Sequence, residues 1–320
     1  MINRNRPDLW KEDTAASVAM YNSWFMEAAP QAYRDTRAGA IESIKRAFEW
    51  SQNMTAISPD LIRKNPDVVS ALRMSTAPPL AVDRLVGLSG VTKSFVSNLE
   101  KGTISRFSSA QTVESSLHRI CEVVSELLDR DLFSWLDSPA PPPERDTEMA
   151  ATVVADRLCG AIANPIVRNA QEQRQLELIQ RWLNERGYMK QAYSPSTALR
   201  NLAALRQMQP GTFFFHQNVV VGGDRSVNIP IDVVIQPFKP TRSGLPLLIE
   251  AKSAGDFTNT NKRRKEEAQK LNQLRETYGD ISLTLFLCGY FDGGYLGYSA
   301  AEGLDWVWEH RIDDLEKLGV

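Results

Sequence analysis

Cysteine is scarce: Cys121, Cys159 and Cys288 are the only three in 320 residues. Their wide separation excludes a zinc knuckle or a disulfide framework and suits the cytosol. Histidine is equally rare. His118, His216 and His310 stand alone, without the paired spacing of a zinc protease, so single surface or strand roles are expected of them. There is no G-x-S-x-G nucleophile elbow and no G-x-x-x-x-G-K-[ST] phosphate loop. The longest apolar run, Ile281 to Tyr290, is too short to span a bilayer, and Met1-Ile2-Asn3-Arg4-Asn5-Arg6-Pro7-Asp8 lacks an apolar signal core. A net charge of −2 excludes a uniformly basic coat, so any phosphate binding must come from local clusters. The expectation is a cytoplasmic protein with no membrane association.

What is present fills about two domains, with 42% hydrophobic residues to build their cores. Residues 1–137 carry helical periodicity, as in Ile120, Val124, Leu127 and Leu128, and no strand pattern. Residues 138–146, Ser138-Pro139-Ala140-Pro141-Pro142-Pro143-Glu144-Arg145-Asp146, cannot continue a helix and are expected to link to a second domain, 147–320. There a helix over Gln171 to Arg186 precedes strands over Phe213 to Val221 and Asn228 to Gln236, joined through Gly222-Gly223-Asp224-Arg225. A third strand over Leu245 to Ala251, a helix over Lys262 to Tyr278 and a strand over Ile281 to Tyr290 follow. A final hairpin is expected at Asp292-Gly293-Gly294, and a C-terminal helix carrying Trp306, Trp308, Ile312 and Leu315. The order implies an α/β fold, a mixed sheet flanked by helices, behind an α-helical N-terminal region.

Charge inside two of these strands carries the chemistry. Asp232 lies within Asn228-Ile229-Pro230-Ile231-Asp232-Val233-Val234-Ile235, and Glu250-Ala251-Lys252 closes Leu245-Pro246-Leu247-Leu248-Ile249. Ionised groups are costly to remove from water, so such positions need a use. The chain between them, through Pro237-Phe238-Lys239-Pro240-Thr241-Arg242-Ser243-Gly244, is long enough to turn and bring both acids to one strand end. Two carboxylates there suit one or two Mg2+ ions. Lys252 leaves a strand on the same face as Glu250 and would orient, or help deprotonate, a metal-activated water. Taken alone, the triplet also fits an edge-strand ion pair. Glu172 shares the inward stripe of Leu176, Ile179 and Leu183, which makes it a candidate accessory metal ligand; a favourable charge in a first helical turn is the other reading. Downstream, Thr258, Asn259, Asn261, Lys262, Arg263 and Arg264 bring hydroxyl, amide and basic groups suited to phosphates.

Asp232 with Glu250-Ala251-Lys252 resembles the PD-(D/E)xK nuclease superfamily, although Pro230-Ile231-Asp232 replaces adjacent proline and aspartate. From Asn228 through Tyr278, including Leu247 to Ser253 and Gly255 to Glu267, the chain looks like the XamI-type restriction endonucleases. That resemblance implies a restriction-endonuclease-like core and Mg2+-dependent cleavage of double-stranded DNA at a short sequence. Asp232 and Glu250 would bind the metal, and water would attack phosphorus directly. It also implies a companion DNA methyltransferase acting on the same site, with no stable complex required. A symmetric duplex target favours a homodimer.

A second resemblance lies in Leu85-Val86-Gly87-Leu88-Ser89-Gly90-Val91-Thr92-Lys93-Ser94-Phe95-Val96-Ser97-Asn98-Leu99-Glu100-Lys101-Gly102, which is similar to the helix-turn-helix of phage-repressor-like regulators. It implies that Lys93, Ser94, Ser97 and Asn98 meet the major groove or its phosphates. Two other readings stay open: a non-catalytic helix-turn-helix regulator, and a structure-specific repair or junction nuclease.

Overall fold

A computed structural model describes residues 2–104, 109–192, 199, 202–222, 226–239 and 243–320; the side chains at 162–164, 258, 259 and 261–264 lie outside the description. The chain forms two compact units, Met1–Ala29 with Arg168–Val320, and Pro30–Val167. This division differs from the expected 1–137, 138–146 and 147–320. Both crossing points fall inside long helices, α1 (Trp10–Trp50) and α7 (Glu144–Glu185). The prolines of 138–146 instead lead up to the start of α7, where a missing N–H is tolerated because a helix leaves its first donors unbonded. No single helix among the described residues is long and apolar enough to cross a membrane.

The helical unit is built from parts of α1 and α7 with α2 (Pro59–Lys64), α3 (Val68–Met74), α4 (Val82–Ser89), α5 (Lys93–Glu100) and α6 (Ala110–Glu126). Its core gathers Leu72, Leu85, Val96, Leu99, Leu117 and Ile120, all fully buried.

The other unit holds a six-stranded sheet in the order β1 (Met189–Lys190), β2 (Thr212–Val221), β3 (Val227–Gln236), β4 (Leu247–Ala254), β5 (Leu283–Gly289), β6 (Asp305–Trp308). A short α8 (Leu202–Arg206) precedes β2. β2, β3 and β4 run antiparallel, while β1–β2, β4–β5 and β5–β6 are parallel. Parallel neighbours need crossovers, and α9 (Phe257–Tyr278) and α10 (Gly293–Ala301) supply them. The α7 stripe Leu176, Ile179 and Leu183 packs with Leu247 and Ile249, whereas Leu271 and Leu274 of α9 pack with Leu248. β4 is therefore covered on both faces, which is why it reads as an unbroken apolar run.

Two C-terminal expectations are corrected. Asp292 does not begin a hairpin; its carboxylate accepts the Tyr295 N–H at 2.8 Å and caps α10. Trp306 and Trp308 lie on β6, fully buried, and Ile312 and Leu315 follow in a 3-10 segment, Glu309–Leu318. Alternating burial on a short strand and spacing on a helix are easily confused when a tryptophan fills either core. The first residues also belong here. Ile2 joins the sheet core, and Asn3 donates to the Trp306 carbonyl at 2.8 Å. The turn residues Gly223, Asp224, Arg225, Pro240, Thr241 and Arg242 lie outside the described residues.

Candidate active site

β3 and β4 pair from Ile235↔Leu247 to Val233↔Ile249 and then part. The next pair in that register would set Asp232 opposite Glu250. Instead, Oδ2 of Asp232 accepts the Ala251 N–H at 2.9 Å, so a side chain satisfies the amide where the ladder ends. Continued pairing to β5 keeps β4 straight beyond that point, through Glu250↔Leu285 and Lys252↔Leu287. Divergence on one side and pairing on the other leave the acid-x-Lys triplet at an opening beside Asp232.

Glu250 is 1% exposed and is held by two ammonium groups. Lys252 Nζ lies 3.1 Å from Oε2, and Lys270 Nζ lies 2.7 Å from Oε1. Lys252 reaches Glu267 as well, at 3.1 Å, while Lys270 also donates to the Pro230 carbonyl at 3.1 Å. The triplet therefore does form an ion pair, but on an interior strand and inside an alternating network with α9. Pairing of this kind is what makes buried charge tolerable.

Burial, then Glu250, push the Asp232 carboxyl up to about 7, with Lys252 and the Ala251 amide pulling the other way. Burial alone would lower the Lys252 ammonium, but Glu250, Glu267 and Asp232 outweigh it and hold the ammonium above its ordinary value. A firmly charged lysine orients water and donates hydrogen bonds; it is poorly suited to accept a proton. Burial also raises Glu267, against the pull of Lys252.

Glu172 reaches this opening from α7. Ligand atoms of Glu172, His216 and Asp232 all lie within 4.8 Å of one another. Two carboxylates fit a divalent cation that prefers oxygen, and the imidazole adds a nitrogen donor. Ser253 ties the neighbouring turn of α7 to β4 by donating to Gln171 at 2.9 Å.

Sequence reasoning passed over Glu267, Lys270 and His216. Glu267 was legible: with Leu271, Leu274 and Tyr278 it continues one helical stripe, the same spacing that singles out Glu172. Lys270 and His216 carry no comparable signal, because their roles arise only from contacts across elements.

In the helical unit, α4 ends at Gly90 with φ 62°, and Thr92 caps α5 by accepting the Phe95 N–H at 3.2 Å. Lys93 and Ser94 are exposed, and Ser97 and Asn98 are half-buried. Lys93 pairs with Asp83 at 2.8 Å. The backbone of Thr258, Asn259, Asn261, Lys262, Arg263 and Arg264 lies in the first turns of α9; their side chains lie outside the described residues.

An acid where two antiparallel strands part, beside a buried acid-x-Lys on the next strand of a mixed sheet, is the arrangement that the resemblance to the PD-(D/E)xK nucleases leads one to expect. The family model of the XamI restriction endonuclease matches residues 52–308. The type II restriction enzyme SalI of Streptomyces albus G is 59% identical over 320 residues, covering 100% of both chains. No solved structure matches. The chain belongs to the XamI restriction endonuclease family. It is a sequence-specific type II deoxyribonuclease, and this membership favours that activity over a non-catalytic regulator or a junction nuclease.

Proposed function

We propose that the enzyme cuts both strands of its DNA site with one or two Mg2+ ions held by Asp232 and Glu250, assisted by Glu172. The observation that carries this reading is the parting of β3 and β4, which aims Asp232 at the Glu250-Ala251-Lys252 strand end. When bound, Mg2+ would neutralise phosphate charge and make a ligated water more acidic. Glu250 must free an oxygen to take part, and Lys270 is the partner to release, because Lys252 remains anchored by Glu267. Lys252 would hold the attacking water by hydrogen bonding. The new phosphorus–oxygen bond would form as the leaving oxygen departs, with no covalent enzyme intermediate.

Lys93, Ser94, Ser97 and Asn98 would meet base edges or phosphates, with Asn and Ser supplying directional bonds and Lys mostly position. Thr258, Asn259, Asn261, Lys262, Arg263 and Arg264 would hold the backbone near the cut. A homodimer would present two sites to a symmetric duplex. A companion methyltransferase would protect the same sequence in the cytoplasm without a stable complex.

Incubating plasmid DNA with the enzyme in Mg2+ or in EDTA tests the reading. Discrete fragments with one repeated end sequence, formed only in Mg2+, are expected. Equal cutting in EDTA, or ends without a shared sequence, would overturn it.

A further inference from the structure

Among the described residues, His216 is the one strand residue other than glycine with a left-handed backbone, φ 52°. That conformation is uncommon for any residue with a Cβ, histidine adopting it more readily than most, and inside a strand it persists where the surrounding structure holds it. The β2–β3 register runs Phe215↔Val233 and Gln217↔Ile231, and the pair between them, His216 with Asp232, is missing from the ladder. Side-chain direction reverses at the same point. Phe213, Phe215, Val233 and Ile235 pack into the α7-side core, whereas Val219, Val221, Ile229 and Ile231 pack into the α9-side core. The distortion thus turns His216 and Asp232 together, toward Glu172.

A weak ion pair does not account for this arrangement. His216 Nδ1 and Glu172 Oε1 stand 3.9 Å apart, with side chains 59% and 40% exposed. Pairs of that kind contribute little. A shared ion accounts for it better. Donors on opposite sides of a divalent cation are about 4.2 Å apart at ordinary bond lengths of about 2.1 Å. Three donors within 4.8 Å would close on one ion with small side-chain rotations. Asp232 has Oδ1 for this purpose, since Oδ2 takes the Ala251 amide.

We propose that Glu172, His216 and Asp232 form a second metal position, sharing Asp232 with Glu250, that takes a Mn2+-class transition ion in preference to Mg2+. The preference follows from the donors: Mg2+ favours oxygen alone, whereas Mn2+, although the weakest-binding of the first-row transition ions, accepts an imidazole nitrogen beside its carboxylates more readily. This inference rests on the reading of Asp232 as a metal-binding carboxylate.

Tag-free, full-length enzyme without DNA is titrated with Mn2+ and with Mg2+ by calorimetry, and the Mn2+ complex is read by pulsed electron spin resonance for coupling to imidazole nitrogen. Nitrogen coupling is expected, with Mn2+ bound about tenfold more tightly than Mg2+. His216→Gln should remove the coupling and weaken Mn2+ about tenfold while changing Mg2+ affinity far less. His216→Gly, which relieves the backbone, should do the same and unfold at no lower temperature, separating ligation from folding. Asp232→Ala should also abolish the coupling, which excludes His118 and His310 as its source. Absent coupling in the wild type, or Mn2+ affinity unchanged in His216→Gln and His216→Gly, would overturn the proposal. Should Mg2+-dependent cutting persist without coupling, only this inference fails; coupling without any metal-dependent cutting would sink the nuclease assignment of the site instead.

Discussion

The parting of β3 and β4 is built from buried charge, whereas the α4–α5 pair sets polar groups over an apolar core. Glu250 is 1% exposed and meets two ammonium groups, so each member of its network depends on the others. Lys93 and Ser94 are exposed, and the burial that holds α5 comes from Phe95, Val96 and Leu99 on its other side. Where charge is buried, chemistry and folding share residues; where polar groups face outward, recognition and folding separate. Substitutions at the strand end should therefore disturb rate and stability together, and substitutions on α5 should change binding alone.

The largest effect is expected from Asp232→Ala, which removes both the metal-facing carboxylate and the acceptor for the Ala251 amide. Cutting should fall by roughly a thousandfold or more, comparable to losing one preorganised electrostatic group. Binding of DNA, measured by gel shift in Ca2+, should stay within about threefold. Retained cutting would break the assignment of the strand end as the reactive centre.

Lys270→Met comes next and sharpens the same contrast. It leaves Lys252 on Glu250 but frees the second oxygen. A positioning residue of this type typically changes rate or metal affinity by about 10- to 100-fold. Since Lys270 competes with the ion for Glu250, Mg2+ should bind about tenfold more tightly and the half-maximal single-turnover rate should be reached at lower Mg2+, while the DNA affinity holds. Loss of DNA affinity with an unchanged rate would instead place Lys270 on the substrate.

The contrast also explains what could be seen beforehand. Asp232, Glu250 and Lys252 stood out because a charge in an apolar strand has few cheap explanations. Leu247, Leu248 and Ile249 marked a buried strand, and the structure adds that α7 and α9 cover its two faces. Lys270 was invisible because its meaning depends on α9 crossing β4, and His216 because a left-handed residue in a strand leaves no mark in composition. The unit division was hidden for a similar reason. Proline breaks local periodicity, but membership of Ile2 in the sheet core is set by contacts some 300 residues away in the chain. Trp306 and Trp308 misled because a four-residue strand, Asp305–Trp308, is too short to show its period.

On α5, Asn98→Ala should weaken cutting at the cognate site by about 1–3 kcal/mol of discrimination and relax one base position. Lys93→Ala should act evenly across sequences and reduce the salt slope of binding by about one. Neither change should alter the cleavage rate once DNA is saturating. Cutting of a library of single-base site variants separates the two outcomes, and a rate defect at saturation in either variant would erase the proposed separation between the regions.

The smallest and most graded test is pH. Asp232 titrates at about 7 in the folded protein against 3.8 for an ordinary aspartate, raised by burial and by Glu250 and lowered by Lys252. It is also faced by Glu172 on α7 and His216 on β2. Between those two values the folded state holds a proton that the unfolded chain has lost, so the contribution of Asp232 to stability falls as pH rises through that window and levels off above about 7. Metal binding needs the ionised form and has the opposite slope. Mg2+ affinity should rise by up to about tenfold per pH unit below about pH 7 and then flatten. Measuring it in a His216→Gln background removes the imidazole from the titration. The added thermal stability given by Mg2+ should grow over the same range, and no counterpart is expected for the exposed groups of α5. An affinity that stays flat from about pH 6 to about pH 8 would mean that Asp232 is already ionised there, and that Lys252 and the Ala251 amide, not burial, dominate its charge state.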